Sequence, residues 1–379
     1  MRCVVVGAGA WGLPAAAELA GRGHEVTLVD RYGVGNLLSS SAGPTRIWRV
    51  THPDARRVRL AQRAIEAWRS VESRTGRTLL VRRGLLWRDH VTQQAILAAL
   101  AAEGAEHTEV AAADVGDFVP GLRPDGRDAV WTGQAGPLLA AESLAAHEQL
   151  FAAAGGRLAI AEVRAVSTGE HGVRLELADG STLPADVVVL APGPAAGPLL
   201  AGLGVELALR PHLEQVVHFG PPQDPAAHDH LPCLFDGPTD TEPGLYALAT
   251  PGRGYKVGLD FPVRELAAGD LDRSADEALL AATVARVRRD LGSVHPNVLD
   301  VQQCCWTDSP DGRFVLDRLP AGVVVACGDS GEGFKFSALM GPLLADLAED
   351  RPVDADVAAF GLARLACGVA PAGRHVVGR

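Results

Sequence analysis

The chain has 379 residues, 47% of them hydrophobic, with a formal net charge of −11. That length suffices for two domains with sizeable cores, and the acidic balance argues against nucleic acid or an acidic membrane surface as a partner. There is no run of about 18 apolar residues to span a bilayer. The six cysteines (Cys3, Cys233, Cys304, Cys305, Cys327 and Cys367) form no CxxC pair and no zinc spacing. No metal site is expected, and a cytoplasmic protein with reduced thiols is the natural reading. Only two of the 35 basic residues are lysines, Lys256 and Lys335. Where arginine is the default cation, a retained lysine points to a position that needs a compact ammonium of adjustable pKa.

The first predicted element is a β-branched strand, Cys3 to Val6, so close to the start that no room is expected for a signal peptide. Gly7-Ala8-Gly9-Ala10-Trp11-Gly12 follows, then an alanine-rich helix to about Leu19 that Gly21-Arg22-Gly23 ends. A second strand, Glu25 to Val29, finishes on Asp30, 21 positions after Gly9. Strand, GxGxxG, helix, strand and acid in this order form a dinucleotide-binding fingerprint. Gly7 makes the tight turn, Gly9 lets the backbone approach a pyrophosphate, and Gly12 lets helix and strand pack closely. The helix N-terminus offers N–H groups to the phosphates, and Asp30 can accept from ribose hydroxyls.

Further along, Arg157 to Val166 and Val173 to Leu177 alternate like a hairpin with its turn marked by Gly180, and Asp186 to Leu190 reads as a buried strand ending in Ala191-Pro192-Gly193. Strands are predicted at Glu214 to Phe219 and Tyr255 to Leu259, and an amphipathic helix at about Ala275 to Leu291. His228-Asp229-His230, on a Pro- and Asp-rich loop, reads as solvated surface rather than a metal site. A last strand, Gly322 to Ala326, leads into Gly328-Asp329-Ser330-Gly331-Glu332-Gly333 and a helix from about Phe336 to Glu349. A second glycine-rich strand-to-helix turn near the C-terminus suits FAD, a long cofactor gripped from both ends of the chain, better than NAD. The expected architecture is α/β. Residues 1–80, 141–205 and 306–379 would form a Rossmann-like FAD-binding domain, and 81–140 and 206–305 a discontinuous α+β substrate domain on an antiparallel sheet.

Four motifs then carry a resemblance. They are Ser41-Ala42-Gly43-Pro44-Thr45-Arg46-Ile47-Trp48-Arg49, Gly254-Tyr255-Lys256-Val257-Gly258, Cys304-Cys305-Trp306-Thr307 with Pro310-Asp311 and Phe314, and Ser330-Gly331-Glu332-Gly333-Phe334-Lys335-Phe336. Together with the fingerprint they resemble the D-amino-acid oxidase superfamily, in its monomeric sarcosine oxidase branch, over nearly the whole chain. Both lysines fall inside these motifs. The resemblance implies a GR2-type FAD domain whose cofactor contacts extend to Ala10, Trp11, Arg31, Ser41, Thr45, Val163, Gly193, Gly331 and Gly333. Arg49 and Lys335 resemble the pair that grips a substrate carboxylate, Arg46 the arginine over the flavin face, and Lys256 the lysine beside flavin N5 that favours reaction with oxygen. Tyr246 and Glu332 belong to the implied substrate pocket. Cys304, in the Cys-x-x-Thr register, resembles the cysteine that carries the flavin through a thioether, with Cys305 as its immediate rival.

Departures from the pattern narrow the implied substrate. Ala42, Asp260 and Glu332 stand where the family has histidines, and the Gly244-Leu245-Tyr246-Ala247 segment is two residues shorter. Acids in place of imidazoles make sarcosine itself an unexpected substrate; they favour a substrate with an extra cation or are salt-bridged elsewhere. The leading expectation is a monomeric oxidase of a secondary, N-methyl or cyclic α-amino acid. It would release an imine and reduce O2 to hydrogen peroxide. One alternative is a biosynthetic imino-acid oxidase that desaturates or aromatises a cyclic carboxylate. Another is a catalytically silent flavoprotein subunit, against which the retained Lys256 argues.

Overall fold

Six strands form the first sheet, in the order Val315–Leu319, Val323–Cys327, Val187–Leu190, Arg2–Val6, Glu25–Asp30 and Arg157–Ile160. The computed structural model describes residues 1–170 and 172–367, so the 368–379 part of the expected FAD-domain segment lies outside the described residues. All pairings in this sheet are parallel except that of the edge strand Val315–Leu319. Its central strands are valine-rich and, apart from Arg2 at one end, buried, as a sheet covered on both faces requires. On one face, helix Gly12–Gly21 packs its small residues Ala15, Ala16 and Ala20 in a core shared with helices Ala140–Ala153 and Ser337–Ala348. The other face is covered by a three-stranded sheet, Val163–Gly169, Gly172–Leu177 and Thr182–Ala185, and by helix Ala196–Ala201.

The second sheet has nine strands. Its path runs Arg264–Glu265, Arg210–Phe219, Gly254–Leu259, Leu245–Thr250, Cys233–Asp236, Leu85–Arg88, Ala129–Thr132 and Thr108–Val110, with Val298–Asp308 also paired to Arg210–Phe219. Every pairing is antiparallel except Cys233–Asp236 with Leu85–Arg88. Helix Glu277–Asp290 packs Val287 into its core, and the Asp276 side chain caps that helix by accepting the Leu279 N–H at 2.8 Å. A two-stranded ribbon, Thr45–Trp48 with Gly136–Leu139, lies off both sheets.

Several local expectations need correction. The boundary expected between residues 305 and 306 falls inside the strand Val298–Asp308. Arg157 to Val166 is not one arm of a hairpin: Arg157–Ile160 joins the first sheet beside Glu25–Asp30, and only Val163–Gly169 turns back against Gly172–Leu177. His228 is buried rather than solvated, its Nε2 accepting the His295 N–H at 2.9 Å. The 21-residue helix Ala55–Thr75 was hidden by its arginine content, although Val58, Ala61, Leu60, Ala64, Trp68 and Val71 make a buried stripe at helical spacing. Asp54 caps its start and Gly76, at φ 70°, ends it.

Candidate active site

A cavity of about 1370 Å³ runs from the fingerprint of the first sheet to the inner face of the second. That exceeds the roughly 300–1,000 Å³ of a single drug-sized ligand site and leaves room for a long cofactor and a small substrate together. At one end the chain turns at Gly7, whose φ is 101°. A Cβ there would meet the Ala191 carbonyl oxygen at 2.3 Å, and one on Gly12 would meet the Gly7 oxygen at 1.9 Å. Gly12 does not itself line the cavity; its contribution is this close packing. The helix that starts at Gly12 has no side-chain cap and no acid in its first turn, so its N-terminal N–H groups suit a phosphate. Ser41 Oγ accepts the Ala10 N–H at 2.8 Å. Asp30 accepts the N–H groups of Ala8, Tyr32 and Gly33, each at 2.8 Å, and still faces the cavity with Arg31, Val163 and Gly193. Trp11 Nε1 donates to the Gly333 carbonyl at 3.1 Å, which locks the C-terminal glycine-rich turn, including Gly331, onto the N-terminal one. These features fit FAD: the N-terminal turn suits the pyrophosphate, and the length of the cavity carries the rest.

Lys256 projects from Gly254–Leu259 into the cavity at only 3% exposure and donates to the Thr45 carbonyl. The same carbonyl accepts from Arg46 Nη1 at 2.9 Å, while Arg46 Nη2 donates to the carbonyls of Ala42 at 2.6 Å and Ser40 at 3.0 Å. The ribbon and its preceding loop thus fix two cations side by side. Burial, followed by repulsion from Arg46, lowers the Lys256 ammonium to about 7. Thr45 serves through this carbonyl; its hydroxyl meets Thr250 Oγ1 at 2.8 Å, and the residue does not line the cavity as expected of a cofactor contact. Cys304 sits opposite Glu214 in the sheet register, and both line the cavity with Tyr246. Burial, then Glu214, pushes the Cys304 thiol up to about 12. Cys305, the next residue of the strand, also lines the cavity, its Sγ 3.1 Å from Ser40 Oγ.

Arg49, Lys335 and Glu332 converge further along. Arg49 Nη2 lies 2.7 Å from Glu332 Oε1, Lys335 Nζ 3.7 Å from the same oxygen, and Arg57 pairs with Oε2. Burial alone would raise the Glu332 carboxyl, but Arg57, Lys335, His52 and Arg49 outweigh it and hold the group well below the usual carboxylate range. Asp260 also lines this end. Trp87 and Phe235 form a stacked aromatic wall, with centroids 3.8 Å apart, and the Arg49 guanidinium lies 4.5 Å over the Trp87 ring.

Sequence reasoning missed Arg57, His52, Glu214 and the Trp87–Phe235 wall. Arg57 lies in the unrecognised helix, and helical spacing alone would not distinguish it from the arginines around it. Glu214 begins the predicted strand, yet only the register reveals that it faces Cys304.

Residues 2–347 match the family model of the FAD dependent oxidoreductases. The chain belongs to that family, and its fold is that of a Rossmann-like FAD-binding domain joined to a substrate domain. It is 29% identical over 359 residues to a monomeric sarcosine oxidase of Streptomyces avermitilis, covering 91% of this chain and 92% of that one. A monomeric sarcosine oxidase of Bacillus sp. (strain B-0618) is 27% identical over 381 residues, covering 95% of each. Among solved structures, the open form of NikD, an unusual amino acid oxidase essential for nikkomycin biosynthesis, superposes with a TM-score of 0.84. It shares 26% identity, covering 95% of this chain and 96% of that one. The protein is therefore an enzyme, an FAD-dependent oxidoreductase of the sarcosine oxidase-like kind.

Proposed function

We propose that the protein oxidises the CH–NH bond of a small secondary, N-methyl or cyclic amino compound to an imine and passes the electrons to O2, giving hydrogen peroxide. The observation that carries this reading is Lys256, a buried ammonium held against the Thr45 carbonyl beside Arg46 and Cys304 in the cavity. FAD, when bound, supplies the two-electron acceptor. The chain contributes fixed charge: a cation in a site of low dielectric stabilises negative charge developing on O2 without reorganisation. Arg46 adds a second cation. The aromatic wall of buried Trp87 and half-buried Phe235 and Tyr246 excludes water and orients an apolar substrate body. Cys304, on the same face as Glu214 and close enough to Lys256 and Arg46 to feel their charges, is the thiol we assign to a covalent FAD linkage. Residues 1–80, 141–205 and the described residues after the strand Val298–Asp308 would form the FAD-binding domain, and 81–140 and 206–308 the substrate domain, with the cavity lined from both.

We further place the protein in the cytoplasm as a monomer. The five cysteines with described side chains are all free, which suits a reducing compartment, and no helix among the described residues is long and apolar enough to cross a membrane. The test is anaerobic mixing of the holoenzyme with a panel of N-methyl, cyclic and primary amines and amino acids, followed by readmission of air. Bleaching of the flavin absorbance and one peroxide per substrate oxidised are expected. Bleaching by none of the secondary or cyclic compounds would end this reading.

A further inference from the structure

The cations at the substrate end of the cavity are already paired with an acid of the protein itself. Arg49 gives Nη2 to Glu332 at 2.7 Å, while its Nη1 donates to the Thr51 carbonyl and lies 3.3 Å from His52 Nδ1. Arg57 gives Nη1 to the other oxygen of Glu332 and Nη2 to the Gly312 carbonyl at 3.0 Å. Lys335 Nζ stands 3.7 Å from Oε1, and His52 Nδ1 stands 3.8 Å from it. The cluster is largely buried: side-chain exposure is 13% for Arg49, 17% for Arg57, 7% for Lys335 and 18% for Glu332. Both oxygens of Glu332 are therefore engaged by charge-assisted contacts of the kind that an incoming carboxylate would need.

We propose that Glu332 occupies the place of a substrate carboxylate, so that the substrate is a secondary, N-methyl or cyclic amine whose acid function is absent, amidated or esterified. This inference rests on the amine-oxidase reading above and narrows it. An entering carboxylate would face Glu332 across a short distance with little water between them, and like charges so placed repel strongly. Asp260 also lines this end, and its charge is felt by Arg49, which reduces the positive excess of the cluster further. The remaining walls favour an amine. Trp87 and Phe235 offer stacked aromatic surface, and Tyr246 and Glu214 stand on the inner side. Aromatic faces and carboxylates attract a protonated amine before it loses its proton and reacts.

The test compares ligands that differ only in the charge in question and cannot be oxidised at nitrogen. Cyclopentanecarboxylate and cyclopentanecarboxamide would be titrated calorimetrically into the holoenzyme. The wild type is expected to bind the carboxamide at least as tightly as the carboxylate. Glu332→Gln, which frees the cations while keeping the shape, is expected to gain at least tenfold for the carboxylate and little for the carboxamide. Tenfold tighter binding of the carboxylate by the wild type overturns the proposal, as does a folded Glu332→Gln that gains nothing. If that variant does not fold, the wild-type comparison still decides. Because these ligands are not turned over, the result is separate from the amine panel: failure to bleach with any amine sinks the oxidase reading, whatever this pair shows.

Discussion

In the proposed function the chemistry turns on Lys256 and Cys304, and each makes a sharp prediction. On that reading Lys256 matters when charge develops on oxygen and much less when the substrate is oxidised. Lys256→Met is therefore expected to slow the oxygen half-reaction by about 10²–10³-fold, the range seen when one preorganised electrostatic contact is removed, while anaerobic substrate oxidation falls far less. Lys256→Arg keeps the charge but replaces a compact ammonium with a broad fork and is expected to recover only part of the rate. The pH profile follows from the ammonium lowered to about 7 by burial and Arg46. The charge is present below that value and lost above it, so oxygen reactivity is expected to decline as the pH rises through it. Stopped-flow absorbance of the two half-reactions across pH checks all three. For the linkage, acid precipitation of the wild type should leave the yellow colour in the pellet. Cys304→Ala should release it to the supernatant and Cys305→Ala should not, because the Cys305 thiol is engaged by Ser40 while Cys304 lies opposite Glu214 within reach of the charges of Lys256 and Arg46.

Among the elements, the turn between strand Arg2–Val6 and helix Gly12–Gly21 is the least tolerant of change. Gly7→Ala combines a positive φ with a Cβ 2.3 Å from the Ala191 carbonyl oxygen, and Gly12→Ala drives a Cβ to 1.9 Å from the Gly7 oxygen. Each is expected to cost about 1–3 kcal/mol or more, through backbone strain and overpacking. Both should also lose FAD, because relief of either clash opens the turn. Gly21→Ala, at the end of the same helix, has nothing within 4 Å of its new Cβ and no positive φ. It should hold its cofactor and match or exceed wild-type stability by about 0.5–1 kcal/mol. Thermal melting and the flavin-to-protein absorbance ratio of the three variants test the difference. A further element links the chain ends: the Trp11 indole against Gly333 ties the two glycine-rich turns together, so Trp11→Phe should loosen FAD while leaving the first sheet intact.

For the whole molecule, buried imidazoles set the acid limit of stability. His147 and His218 are both lowered to about 4, chiefly by burial; His218 also feels Lys256, and neither of its ring nitrogens has a hydrogen-bond partner among the described residues. Their folded values lie below the unfolded value of 6.5. Below that pH the unfolded chain binds more protons, and stability is lost as the pH falls from 6.5 towards 4. Each group contributes a slope of about 1.4 kcal/mol per pH unit inside that window. His147→Gln should reduce the slope. A melting temperature that stays flat across the window would contradict neutral burial. Glu332 acts in the same sense at lower pH: its carboxyl is held down by its cations, so its contribution is present above about 4.5 and lost below its own depressed value.

What could be read from the sequence alone was whatever depends on short, contiguous backbone geometry. GxGxxG between a strand and a helix admits few conformations, and two lysines in an arginine-rich chain single themselves out by composition. The dinucleotide fingerprint follows from local spacing, and the short motifs that carry the family resemblance imply Lys256, Lys335, Arg46 and Arg49 as a set. The arrangement of charges within the cavity does not. Lys335 lies three positions from Glu332, but Glu332 meets Arg49 and Arg57 only because the end of a ribbon strand, a long helix and a C-terminal turn converge, and no spacing along the chain encodes a contact between residues 275 or more positions apart. Glu214 faces Cys304 because the register of Arg210–Phe219 against Val298–Asp308 puts them opposite; a slip of one residue would turn either side chain away. The strand–turn–helix fingerprint and its acid were therefore legible in one dimension, but which cations are already satisfied by the protein's own acids was decided only in three.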